Sequence, residues 1–155
     1  TVREVETTRQ PLRIVVDSRL EISPTAKVLA NGNALVICAN GDHERASRLR
    51  DLGVEVLDLP NTTGKVDLSA LLRTLGERQL NELHVEAGYK LNGSLLRERC
   101  VDELLTYLAP CIVGDAQGMF HLPALTSLDD RLALSFTDVR MIESDLRVMA
   151  RVKRD

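Results

Sequence analysis

The chain has 155 residues, 44% hydrophobic and 28% charged, with a net charge of −3 at pH 7. That length suits one domain burying roughly 70% of the surface its unfolded chain exposes, and 9 Gly, 5 Pro and 3 Cys exclude collagen, low-complexity disorder and a disulfide scaffold. Every apolar run is shorter than the ~20 residues of a membrane span, and 3% aromatics without Trp or a basic stripe argue against nucleic acid as a partner.

Leu12–Val16 is a continuous, largely β-branched run ended by Asp17–Ser18, the pattern of a strand buried on both faces. It is also too short for a secretory signal, which points to a cytoplasmic protein. Ala34–Cys38 is a second such strand. Asp42 is placed to cap a helix through Leu52, with Ala46, Leu49 and Leu52 on one face and Gly53 as its stop. Val54–Leu57 reads as a third strand. Asp67 is the next N-cap, because Leu68, Leu71, Leu72 and Leu75 recur at helical spacing behind it. Glu82–Glu86 is expected as a fourth strand, followed by a turn at Ala87–Gly88 and a helix turning Leu91, Leu95 and Leu96 inward. Leu104–Leu108, apolar at both parities, is expected as a central fifth strand.

Pro110–Pro123 is a long connection. Beyond it, Leu132–Phe136 and Val139–Ile142 read as one extended segment interrupted at Thr137–Asp138. A turn at Glu143–Asp145 returns the chain through Leu146, Val148, Ala150 and Val152, alternating with Arg147, Arg151 and Lys153, as in an antiparallel hairpin with one wet face. Strands joined by helices and closed by a hairpin imply a mixed α/β sheet. Cys38, Cys100 and Cys111 are expected as buried, reduced thiols. The remaining basic residues, Arg45, Arg48, Arg50 and Arg147 among them, are expected on solvated faces.

Two motifs fail on inspection. His84–Val85–Glu86 and Pro110–Cys111 suggest a zinc deaminase signature, but Gly114 stands where the second cysteine is required, and two ligands do not close a zinc site. Gly88 and Gly93–Ser94 imitate a phosphate loop that lacks its lysine. The geometry around Gly88 survives this test. A strand, a glycine turn and a helix N-terminus present bare amides and the positive end of a dipole, which suits a phosphate or diphosphate. The same sequence also fits an ordinary strand-to-helix turn. Glu86 at the strand end fits either a hydrogen-bond acceptor for a polar ligand or a helix cap. Asp17–Ser18 holds the equivalent place on the first strand and reads as a cofactor contact or a plain turn.

Taken in order, several segments resemble the C-terminal reductase domain of the bifunctional riboflavin-biosynthesis deaminase/reductase. They are Thr1–Val2–Arg3, Gln10–Ser18, Gly64–Leu68, Val85–Gly93, Val101–Leu104, and Ala109–Pro110 with Gly114. The resemblance implies a dihydrofolate-reductase-like α/β fold that uses NADPH to reduce the ribosyl group of a phosphoribosylamino-pyrimidine to ribityl. It implies cofactor contacts at Ser18 and at Gly88, Tyr89, Lys90, Leu91, Asn92, Gly93 and Ser94, and substrate contacts at Arg3 and Glu86. No proton donor and no metal ligand follow from it, and a homodimer is the expected assembly. The family's domain begins with a further strand and helix, and a deaminase domain precedes those. Residues 1–155 are therefore expected to be one partial reductase domain, cut from a longer parent and lacking its first strand and helix. The other two readings are a non-catalytic dimerising core and a dihydrofolate-reductase-like enzyme acting on a pterin.

Overall fold

Strand formation in the first half of the chain follows its β-branched runs. A computed structural model describes residues 6–153, and the chain divides into two compact units, Thr1–Asn81 and Glu82–Asp155. In the first unit β1 (Arg13–Val16), β2 (Ala34–Cys38) and β3 (Glu55–Asp58) form a parallel sheet in the order β1-β2-β3, pairing Arg13 with Ala34 and Leu35 with Glu55. β2 is central, and Leu35, Val36 and Ile37 are fully buried. Burial on both faces explains why β2 is uninterruptedly apolar.

The connections are helical. Helix α1 (His43–Asp51) is capped by Asp42, whose carboxylate accepts from the Arg45 amide. It ends at Gly53, where φ is +77° and a side chain would be strained. Ala46 and Leu49 of α1 join Val36, Cys38 and Val56 in one apolar cluster. Helix α2 (Leu68–Glu77) is capped by Asp67 through the Ala70 amide and buries Leu68, Leu71 and Leu75. Just past its end, Arg78 donates two hydrogen bonds to Glu55 of β3, at 2.6 and 2.8 Å. These bonds hold the Glu55 carboxyl below the usual carboxylate range.

In the second unit α3 (Tyr89–Arg97) precedes an antiparallel sheet of β4 (Glu103–Leu108), β5 (Leu134–Ile142) and β6 (Asp145–Val152), ordered β4-β6-β5. The register shifts between Phe136 and Asp138, a bulge at Thr137 where the sequence breaks its alternation. Glu143 turns the hairpin at φ +53°.

Four expectations change. Residues 82–86 form no strand: no backbone ladder engages them among the described residues, and Leu83 and Val85 are 39% and 43% exposed. Their short apolar positions alternate with Glu82, His84 and Glu86, so their burial depends on a neighbouring strand to pair with. β4 lies at an edge of its sheet, and β6 occupies the centre. Arg147 is drawn inward by Asp138, 2.5 Å away, leaving its side chain 15% exposed. Of the thiols, Cys38 is buried, Cys100 half-buried and Cys111 exposed.

Candidate functional site

In the second unit the site is built on the start of α3. Gly88 occupies the N-cap position with no side-chain cap, at φ −80° and ψ 168°, a conformation open to any residue. A Cβ placed there would meet nothing within 4 Å. The amides of Tyr89, Lys90 and Leu91 find no acceptor among the described residues. A helix N-terminus carries roughly half a positive charge, so these three donors with the exposed Lys90 beside them favour an anion.

The rest of the turn is tied down internally. Asn92 Nδ2 donates to the Ala87 carbonyl at 2.9 Å, closing the loop ahead of the helix. The backbone of His121 packs directly on Gly93, where a Cβ would collide with it, and its amide donates to the Tyr89 carbonyl at 3.0 Å. Arg97 donates to the His121 carbonyl and to Ser94 Oγ, and the Tyr89 and His121 rings lie 5.0 Å apart. The bare surface is thus Gly88 to Leu91, while Asn92, Gly93 and Ser94 hold its shape. Sequence reading missed Arg97 and His121. Arg97 follows Ser94 at helical spacing, which is a legible signal, whereas nothing local ties His121 to the helix.

Glu86 lies just ahead of the turn, exposed, with its carboxylate 3.5 Å from His84 Nε2. It is carried by irregular chain. Among the described residues, no three His, Cys, Asp or Glu side chains gather to hold a metal ion. Arg3 lies outside the described residues.

In the first unit, Ser18 follows β1. Its carbonyl accepts from the amides of Ala39 and Asn40 at 3.1 and 2.9 Å, lacing the ends of β1 and β2 together. The Asp17 carboxylate accepts from the amides of Arg19 and Ile22, so the acid shapes the turn. The Ser18 hydroxyl is half-buried and has no partner among the described residues. Asn40, a position sequence reading passed over, donates to the Gly64 carbonyl at 2.9 Å, just beyond the C-terminal end of β2. A ligand is expected there in an α/β sheet. A nearby cavity of about 440 Å³ is lined by Leu20, Ile22, Ser23, Arg45 and Arg48 among others.

Residues 1–148 match the RibD C-terminal domain. The chain belongs to that family. It is 35% identical over 139 residues to riboflavin biosynthesis protein RibD of Escherichia coli K12, covering 89% of this chain and 37% of that protein. With the RibD of Bacillus amyloliquefaciens the identity is 30% over 155 residues, covering 97% and 41%. Acinetobacter baumannii RibD, in its form 2 structure, superposes with a TM-score of 0.83 at 28% identity, over 99% of this chain and 41% of that one. The chain thus spans about two fifths of the length of these relatives. Its fold is the dihydrofolate-reductase-like α/β fold of RibD reductase domains. A relative of which it covers 70%, at 25% identity, is the 5-amino-6-(5-phosphoribosylamino)uracil reductase of Buchnera aphidicola from Acyrthosiphon pisum. RibD reductases are oxidoreductases, a chemistry that implies a nicotinamide cofactor. No helix among the described residues is long and apolar enough to cross a membrane.

Proposed function

We propose that the chain is the reductase domain that reduces the ribosyl group of a phosphoribosylamino-pyrimidine to ribityl in riboflavin biosynthesis. Its reductant is NADPH, its compartment the cytoplasm and its assembly a homodimer. The observation that carries this reading is the uncapped start of α3 behind Gly88, in a chain whose residues 1–148 match the RibD C-terminal domain.

The residues present fit such a cofactor. Gly88, Tyr89, Lys90 and Leu91 offer amides and one ammonium to the diphosphate, with Asn92, Gly93 and Ser94 fixing the turn from inside. Ser18 offers a spare hydroxyl to the cofactor. Arg3 is assigned the substrate phosphate, where a guanidinium fork matches the oxygens, and Glu86 the polar groups of the pyrimidine or ribose. When bound, the nicotinamide supplies the hydride, and the protein supplies position and field.

Gly88→Asp tests the reading without a folding artefact. The site has room for the side chain, and Asp is as good an N-cap as Gly or better by a few tenths of a kcal/mol. The new carboxylate would occupy the bare amides and repel a diphosphate. NADPH affinity, followed by nicotinamide fluorescence, should fall at least about tenfold, which is about 1.4 kcal/mol. Gly88→Ala, which adds no charge, should lose much less. Equal affinity in the wild type and Gly88→Asp would remove the diphosphate from this turn.

A further inference from the structure

Strand β5 is the outer strand of its sheet, and eight of its nine residues are exposed; only Asp138 is partly covered. It contains no Pro, Gly or Lys, the residues that usually blunt a free edge. Residues paired across the ladder share a face. The pairings Leu134–Val152, Phe136–Ala150, Val139–Val148 and Met141–Leu146 therefore define one face of β5 that is wholly apolar. On it Phe136 is 72% exposed and Met141 59%. An apolar face running to an unpaired edge invites another strand.

The charges on β5 select the occupant. We propose that β5 of a second copy of this chain adds antiparallel to β5, centred on Val139, joining two three-stranded sheets into one of six. Only centres on a β5 residue keep apolar side chains opposite apolar ones, because a half-step register would set the two faces against each other. A centre on Asp138 sets carboxylate against carboxylate, and a centre on Arg140 sets guanidinium against guanidinium. A centre on Val139 sets Asp138 opposite Arg140 of the second copy, twice by symmetry, and doubles the apolar face of Val139 and Met141. Within one chain Arg140 Nε already lies 3.4 Å from Asp138 Oδ2, so the guanidinium needs only a rotamer change to cross the edge. The bulge at Thr137 interrupts the edge on its N-terminal side and confines regular pairing to the stretch around Val139.

This inference rests on the homodimer part of the proposed function and names its surface. In an antiparallel pair, directly opposite Cα atoms lie about 4.5–5.5 Å apart, within disulfide reach. Val139→Cys in a Cys111→Ser background should therefore form a disulfide-linked dimer under mild oxidation, whereas Gln117→Cys in the same background should not. Sedimentation equilibrium of the wild type should give twice 17.2 kDa. Arg140→Glu, which faces Asp138 with a second carboxylate, should raise the dimer dissociation constant about tenfold while leaving the far-ultraviolet circular dichroism unchanged. A monomer at all concentrations would overturn both the homodimer and this surface. A dimer in which Val139→Cys fails to cross-link, or Arg140→Glu has no effect, would overturn the surface alone.

Discussion

Cys38 shows how much one side chain's setting departs from its chemistry in water. Its thiol lies at the end of β2, within 3.4 Å of the Leu57 carbonyl and 3.6 Å of Asp58 Oδ1. Burial first, and then the Asp58 carboxylate, push it above the ordinary thiol value, because both oppose a thiolate. Cys111 is exposed in the long connection before β5. Since the thiolate is the reacting species, native protein at pH 8 should give up Cys111 first to a disulfide reagent, with Cys38 reacting only on unfolding. Mass spectrometry of the modified peptides would show the order. Labelling of Cys38 at the rate of Cys111 would mean that the end of β2 opens far more readily than its burial indicates.

Local chemistry decides the elements it can reach, and the two N-caps are the plainest cases. Asp67 accepts from the Ala70 amide at 2.8 Å and fixes the start of α2, so Asp67→Ala should cost about 1 kcal/mol of stability in urea unfolding. An unchanged midpoint would show that packing of Leu68, Leu71 and Leu75 alone sets that helix. Both caps, the Gly53 stop, the buried run of β2 and the break at Thr137 were legible because each depends on neighbours within a few residues. The 82–86 segment and the place of β4 were not legible, since strand pairing joins residues far apart in sequence. Apolar content at both parities suggested a central β4, yet the centre went to β6, whose Leu146, Val148 and Ala150 serve partners on both sides. The candidate site divides along the same line. The Gly88 turn was readable as a helix start with bare amides, although the strand expected ahead of it does not form, and Arg97 stands at helical spacing from Ser94. The clamp by His121, by contrast, comes from a loop distant in sequence, and no spacing rule reveals it.

Across the molecule, burial is distributed unevenly. Among the described residues, every buried apolar side chain except Leu95, Leu96 and Ala150 lies in the first unit, and the largest fully buried ones are Leu35, Val36 and Ile37 of β2 and Leu49 of α1. Protein stability is likewise local: segments with few buried contacts open at lower free energy than the core. Amide hydrogen exchange should therefore find its slowest amides in β2 and much faster ones in residues 109–123 and along β5. The outward amides of β5 should slow at high protein concentration if a second copy covers them. Ile37→Ala would sharpen the test, because deleting a fully buried side chain from the centre of β2 should cost about 2–5 kcal/mol and lower protection across β1, β2 and β3. Slowest exchange in β5, or β2 protection indifferent to Ile37→Ala, would relocate the stable core. It would also leave Ser18, whose carbonyl ties the ends of β1 and β2 together, without the rigid support that the proposed cofactor contact requires.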